Sequence, residues 1–511
     1  MTRAQRLALV ASILGSFVAF LDISVVNVAL PAIGRDLGGG IAAQQWVVDS
    51  YLVTLGSFIL LAGSLSDLFG RKRVFAAGLI GFGITSLGAA VAPSATLLIV
   101  ARGLQGVTGA LLVPSSLAII VANFTGPAQG KAIGTWTAWT GIAFILGPLL
   151  GGALVDAWSW RWVFAINVLP IAGTLAFLAR LEPEPPRTER RRVDLPGAIL
   201  CALGLGGIIF GLIEAPSGGW RAPGIYLPLA GGACAFTAFL IYERFAPQPM
   251  LDFKLFHSRN FAAGNAATAA IYAGLTAFTF LLSVFLQQVS GYSATAAGLA
   301  LLPVTILMFA LSPVSGRLAG KHGPRWFMTF GPLIAALGFL LLLRVRAQGL
   351  PSTELLPGIV AYVRELLPGI VVFGVGLAAT VSPLTAAILG DIDQRHAGMG
   401  SAINNAIARV AGLLAIAAFG AILAARYSAA LDASSAADLG PRARAFLAEA
   451  RSRPLDTAVP AAAGADARTV EARLVDASDS ALHTGLLWMA GLLVTGGLIS
   501  GAGIRNRKAA P

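Results

Sequence analysis

Charge is what this chain has least of. Only 12% of its 511 residues are Asp, Glu, Lys or Arg, where a soluble domain carries roughly 25%. Cysteine is nearly absent. Cys201 and Cys234 both lie in apolar runs, which argues against a disulfide framework or a cysteine-based metal site. The four histidines, His257, His322, His396 and His483, are scattered. No metal-ligand cluster and no phosphate-binding loop can be read, so the sequence points away from an enzyme and away from a bound cofactor or metal.

Apolar residues fill the space that charge leaves. They make up 56% of the chain, with a mean hydropathy of +0.78. Apolar runs recur along its whole length, many close to the ~20 residues that span a bilayer. The chain reads as a polytopic membrane protein embedded in lipid. Its net charge of +12 does not indicate a nucleic-acid partner, because the basic residues sit in short runs between apolar segments, the pattern that sets membrane topology. The start, "MTRAQRLALVASILGSFVAF", has the look of a signal peptide. The apolar run continues past Asp22 to Pro31 without a convincing small-residue cleavage site, so an uncleaved first spanner is expected.

Fourteen candidate spanners follow, at 7–31, 46–66, 74–93, 96–121, 131–156, 162–180, 195–215, 225–243, 261–288, 294–316, 326–345, 366–389, 398–426 and 481–504. An even number places both termini on one side. The side holding the termini carries 21 Lys and Arg, and the short loops of the other side carry 6. Short loops are the informative ones, so the termini are expected in the cytoplasm.

The fold class expected is an all-α polytopic membrane protein of fourteen transmembrane helices. Residues 1–180 form a first block of six, and the Pro-rich, basic segment 181–194 a cytoplasmic linker. Residues 195–250 form an added helix pair, and 251–511 a second block of six with a long external loop at 428–480. Within that loop "PRARAFLAEARS" reads as a short amphipathic helix or as a partly disordered stretch. "GSLSDLFGRKR" (63–73) and "GRLAGKHGPRW" (316–326) correspond at an offset of 253. Gly63, Leu65, Gly70 and Lys72 match Gly316, Leu318, Gly323 and Arg325. Such a repeat is what a transporter built from two similar halves leaves behind. At the same offset Asp67 meets Gly320 and Asp22 meets Leu275, so the second half lacks both acids. "ELLPGIV" occurs at 354–360 and again at 365–371, a local duplication that leaves the start of the twelfth spanner ambiguous.

Asp22 lies in the outer half of the first spanner, about 5 Å past its midpoint at ~1.5 Å per residue. Charge there is costly and normally faces a bundle interior or a wet cavity. Gly15, Val18, Ala19, Val25, Val26 and Ala29 share its face. An acid so placed can carry a proton; an acid that only hydrogen-bonds a neighbouring helix would leave the same sequence. Arg102 sits within the fourth spanner, with Gln105 and Gly106 on its face at i+3 and i+4. A cation there needs a partner or a water-filled path, unless its side chain reaches back to the interface.

In the turn after the second spanner, Gly70 supplies backbone freedom, while Arg71, Lys72 and Arg73 fix the turn inside. Asp67 can cap a helix or pair with a base. "GIAFILGPLLGGAL" carries Gly147, Pro148, Gly151 and Gly152, whose small-residue spacing and proline imply close packing with a kink. Trp158, Trp160 and Trp162 read as an interfacial belt. Asp49 is expected at the exposed outer edge of the second spanner. Asn27, Gln105, Trp136, Trp139, Glu214, Asn404 and Asn405 are candidate lining of a substrate cavity, and Arg409 accompanies the last two in the thirteenth spanner.

In this order and spacing the motifs resemble the major facilitator superfamily, and more narrowly its fourteen-spanner drug:proton antiporters. "LDISVVNVALP" is similar to that family's first-helix motif, "GSLSDLFGRKR" to its loop motif, "RGLQG" to its fourth-helix motif and "GPLLGG" to its antiporter motif. "WRWVFAIN" and "GSAINNAIARVAG" also look familial. Leu68 departs from the loop motif, where a basic residue is frequent, and the second-half copy is degraded. The resemblance implies two six-helix bundles around a central cavity that alternate between inward- and outward-open states. Asp22 and Arg102 would couple to protons, Asp67 and Arg71 would stabilise one state, and the glycine–proline motif would favour exchange. The expected activity is proton-driven export of hydrophobic or amphipathic small molecules by a monomer in the cell membrane. Export of one dedicated solute is the alternative, and a receptor or channel a remote one.

Overall fold

The computed structural model describes residues 1–181, 193–247, 249–347, 360–390, 397–433, 439–451, 453–459 and 466–506. Among them every regular element is helical. The helices are α1 (Arg3–Leu37), α2 (Gly40–Phe69), α3 (Arg71–Ala90), α4 (Ala95–Ala110), α5 (Leu112–Asn123), α6 (Gly126–Ala157), α7 (Trp162–Ala165), α8 (Val168–Ala179), α9 (Leu195–Gly218) and α10 (Pro223–Phe245). They continue as α11 (Arg259–Gln288), α12 (Ala294–His322), α13 (Arg325–Leu341), α14 (Leu367–Gly390), α15 (Ala397–Ala433), α16 (Pro441–Ala450) and α17 (Ala467–Gly503). Among the described residues, 12 helical segments are long and apolar enough to cross a membrane. In hydrocarbon every backbone N–H and C=O must be paired within the segment, which is why long apolar runs fold this way.

Several boundaries differ from the sequence reading. The fourth expected spanner is broken at Leu111 into α4 and α5, three residues before Pro114, which has no backbone N–H to give to the helix ladder. The sixth is broken near Ile166 and Asn167 into α7 and α8. α15 runs on to Ala433 and α17 begins at Ala467, so helix extends into the expected loop 428–480 from both ends. The short helix within it is present as α16. The first copy of the "ELLPGIV" duplication lies almost wholly outside the described residues. The second copy begins in a π-helical turn, Tyr362–Leu366, that leads into α14.

The chain divides into two compact units. The first comprises Met1–Leu37, Trp46–Ile208 and Pro228–Phe253, and the second Gly38–Gln45, Ile209–Leu227 and Lys254–Pro511. Small residues set the packing of the first. A Cβ on Gly151 would lie 3.0 Å from the Val25 carbonyl oxygen, and one on Gly147 would overlap Ser24. α6 therefore lies backbone-close on α1, and the Ser24 hydroxyl crosses to the Ala143 carbonyl at 3.3 Å. Gly152 is buried, while Pro148 is half-buried in a helix that continues through it. The second unit packs α13 on α14 in the same manner through Gly331, Gly338 and Gly376. A cluster of Phe278, Phe339 and Phe373, with ring centroids 4.5–4.9 Å apart, fills its centre.

The repeat has a structural counterpart. Gly70 and Gly323 precede α3 and α13 with φ of 91° and 87°, values that a side chain would strain. In the first unit Lys72 donates to the carbonyl of Leu181, just past the end of α8, at 2.5 Å. In the second, its equivalent Arg325 donates to the carbonyl of Gly501 near the end of α17 at 2.8 Å. Each cation satisfies a carbonyl at the C-terminal end of the last helix of its half, where the helix dipole is negative.

Candidate functional site

The buried polar centre of the first unit is built from four helices and one helix break. α1 supplies Asp22, α3 Ser86, α4 Arg102 and Gln105, and α2 the carbonyl of Val47. Asn167 comes from the break between α7 and α8. Asp22 is 0% and Arg102 1% exposed. Arg102 donates to Asp22 Oδ2 at 2.5 Å. Asp22 Oδ1 accepts from Gln105 Nε2 at 3.1 Å and from Asn167 Nδ2 at 2.9 Å. Arg102 also donates to Gln105 Oε1 at 2.6 Å and, through Nε, to the Val47 carbonyl at 3.1 Å. Ser86 Oγ accepts from Gln105 at 2.8 Å and from Asn167 at 3.4 Å. The guanidinium carbon lies 4.2 Å from the Tyr51 ring centroid and 5.7 Å from that of Phe164, within range of cation–π attraction.

The local sequence explains how these groups meet. Arg102 and Gln105 are three apart on α4 and share a face. That face reaches α2 because Gly106 has no side chain; a Cβ there would overlap Thr54 and the Tyr51 carbonyl. Burying two charges costs several kcal/mol per ion even after relaxation. Hydrogen bonds to a charged group recover about 1.5–3 kcal/mol each, and Asp22 collects three donors. The ion pair is thus compensated, yet it confers little net stability over an apolar replacement.

Asn167 and Ser86 carry no role in the sequence reading, and they complete this network. Asp49 was also misjudged. α2 begins at Gly40 rather than near residue 46, so Asp49 lies about 14 Å into the helix at ~1.5 Å per residue. It is 0% exposed, and among the described residues neither of its carboxylate oxygens has a hydrogen-bond partner. Trp160 is buried within the protein, donating to Asp36 at 2.9 Å, while Trp158 and Trp162 are exposed.

The remaining candidates are dispersed. Arg71 donates to the Ala118 carbonyl at 2.9 Å; the side chains of Gly63 and Asp67 lie outside the described residues. Asn27 donates to the Ile23 carbonyl within its own helix. Trp136 is half-buried and donates to Ser16 Oγ at 3.1 Å, and Ser16 meets Ser116 at 2.6 Å. Trp139 is half exposed. In the second unit Glu214 is half-buried and Asn405 is exposed, donating to the Ser401 carbonyl. Asn404 donates to Asn265 at 3.1 Å and to Thr268 at 2.9 Å, binding α15 to α11.

Fold and site together define a multi-pass, all-helical membrane protein whose halves repeat a structural device while, among the described residues, the buried ion pair lies in the first. The chain belongs to the Major Facilitator Superfamily, whose pattern matches residues 12–416. It is 35% identical to the multidrug resistance protein Stp of Mycobacterium tuberculosis over 434 residues, 84% of this chain and 78% of Stp. It is 34% identical to the puromycin resistance protein pur8 of Streptomyces alboniger over 412 residues, 80% of each chain. Its fold is similar to that of a bacterial homologue of the human lysosomal transporter Spinster, solved inward-facing and unoccupied. The TM-score there is 0.68, with full coverage of both chains and 15% identity.

Proposed function

We propose that this protein is a proton-coupled antiporter that exports hydrophobic or amphipathic small molecules by alternating access. The observation that carries the reading is the buried Asp22–Arg102 pair in a membrane helix, in a chain whose relatives are named for resistance to drugs. A proton arriving at Asp22 Oδ2 removes the negative charge that holds Arg102. Breaking a buried pair costs about 3–5 kcal/mol. Shifting a two-state equilibrium from 1:99 to 99:1 takes about 5.5 kcal/mol, so one protonation supplies most of what a change of state requires. Substrate and proton compete by favouring different states. Asp49, buried without a hydrogen-bond partner among the described residues, is a second proton acceptor in this scheme.

The fuller architecture belongs to the same proposal. Adding α2 and α6, 30 and 32 residues long, to the 12 described spans gives fourteen. The basic residues place both termini in the cytoplasm. Two six-helix blocks flank the linker 181–194 and the added pair 195–250. The working unit is a monomer in the cell membrane that draws on the proton gradient and needs no cofactor. Because one relative is named for a single antibiotic, export of one dedicated solute is the second reading. Expression in an efflux-deficient host with a drug and dye panel, with and without a protonophore, tests both. Broad resistance that the protonophore abolishes supports the first and one tight substrate supports the second; resistance indifferent to the protonophore refutes proton coupling.

A further inference from the structure

A second pair of acids lies apart from the Asp22 network, where the α9–α10 hairpin joins the rest of the chain. Asp194 stands just before α9 and Glu243 in the last turn of α10; they are 8% and 1% exposed. Each carboxylate has one oxygen occupied. Asp194 Oδ1 accepts from the Gly197 amide at 3.0 Å, and Glu243 Oε2 accepts from the Leu251 amide at 2.9 Å. The other oxygens, Asp194 Oδ2 and Glu243 Oε1, are buried and receive no donor. Both lie against Gly197: a Cβ there would lie 2.8 Å from the first and 2.6 Å from the second. The two carboxyl groups are within hydrogen-bonding reach of one another.

Two ionised carboxylates cannot rest in this arrangement. Like charges in contact away from water repel strongly, and acceptor faces acceptor with no hydrogen between. Among the described residues no Lys, Arg or His forms an ion pair with either acid. The other titratable groups facing the pair are Tyr242 on α10, whose hydroxyl is within hydrogen-bonding reach of Asp194, and Cys201 on α9, which is within reach of Ser57 of α2. Neither brings a positive charge. One proton between Asp194 Oδ2 and Glu243 Oε1 resolves the conflict, turning two bare acceptors into a carboxyl–carboxylate hydrogen bond.

We infer that Asp194 and Glu243 form a proton-binding carboxyl pair, separate from the Asp22 site, that ties the entrance of the α9–α10 hairpin to its exit. The chain enters at residues 193–194 and leaves at 250–251, and Glu243 holds the exit through the Leu251 amide. Above this point the helices are locked by backbone contact, with Gly204 against Phe236 and Gly207 against Gly232. The proton therefore acts where the added helix pair meets its two connectors. Loss of it would leave two facing charges and free both connectors at once.

Infrared difference spectroscopy on the purified full-length chain in lipid nanodiscs tests this without requiring transport. Isosteric Glu243→Gln and Asp194→Asn each supply an N–H where the shared proton lay, so the pair stays bonded. At neutral pH the wild type is expected to show a protonated-carboxyl C=O band that both substitutions remove and that Asp22→Asn leaves in place. Either substitution alone suffices if the other does not fold. A folded Glu243→Gln or Asp194→Asn protein that keeps every component of the wild-type protonated-carboxyl absorption, to which buried Asp49 is free to add a component of its own, overturns the inference. So does a wild type whose spectrum at neutral pH does not differ from theirs in this region, because both acids are then ionised and a metal cation or water fills the gap.

Discussion

The two halves of this protein share a scaffold and differ in charge. Lys72 and Arg325 do the same work at equivalent positions, each binding a carbonyl at the end of its half's last helix, after a glycine of positive φ. At the heart of the first unit, however, Asp22 and Arg102 form a compensated ion pair, while the position equivalent to Asp22 in the second is Leu275. Among the described residues, the side-chain hydrogen bonds that join α11 to α15 are neutral amide and hydroxyl bonds among Asn265, Thr268 and Asn404, while Arg409 of α15 lies near Tyr272 of α11. Features needed to hold a six-helix block together recur in both halves. A feature found in one half, at a desolvation cost that stability alone does not require, marks where the halves have divided their labour.

Five substitutions, with Asp22→Asn as a partner to two of them, sharpen or break this comparison. The largest effect is expected from Arg102→Ala, which strands Asp22 as a buried uncompensated charge. It should lose about 3–5 kcal/mol, and Asp22→Asn should restore much of that; thermal unfolding in detergent reads both. Gly147→Val should follow at ~1–3 kcal/mol, the cost of forcing volume into a packed contact, because α6 cannot retreat from Ser24 and Val25. Asn167→Ala removes one of three donors to Asp22 and should cost about 1.5–3 kcal/mol, the worth of a hydrogen bond to a charged group. A double-mutant cycle with Asp22→Asn isolates that bond. The smallest effects belong to the shared device. Lys72→Ala and Arg325→Ala should each cost ~0.3–1 kcal/mol, the scale of a cation at a helix C-terminus. Equal losses sustain the equivalence of the two turns, and a loss confined to one ends it.

The sequence carried the scaffold further than the site. Long apolar runs announce membrane helices because the bilayer leaves few other options, and the 253-residue offset exposed the halves. Arg102 and Gln105 were legible because helical periodicity puts them on one face. Asn167 and Ser86 were not, since periodicity within one helix says nothing about which polar residue of a distant helix turns towards it. Asp49 was misplaced for a simpler reason. The polar stretch Ala42–Gln45 dilutes the apolar signal, so the start of α2 was read six residues late and a buried acid was taken for an edge one.

The central claim, that the charged half couples transport to protons through Asp22, is tested most directly in proteoliposomes. Purified wild type and Asp22→Asn protein would be compared under an imposed pH gradient, with a substrate identified from the drug panel, alongside exchange of that substrate at equal pH. The account predicts that Asp22→Asn abolishes gradient-driven accumulation while substrate exchange continues. Gradient-driven accumulation at the wild-type rate in Asp22→Asn would contradict it.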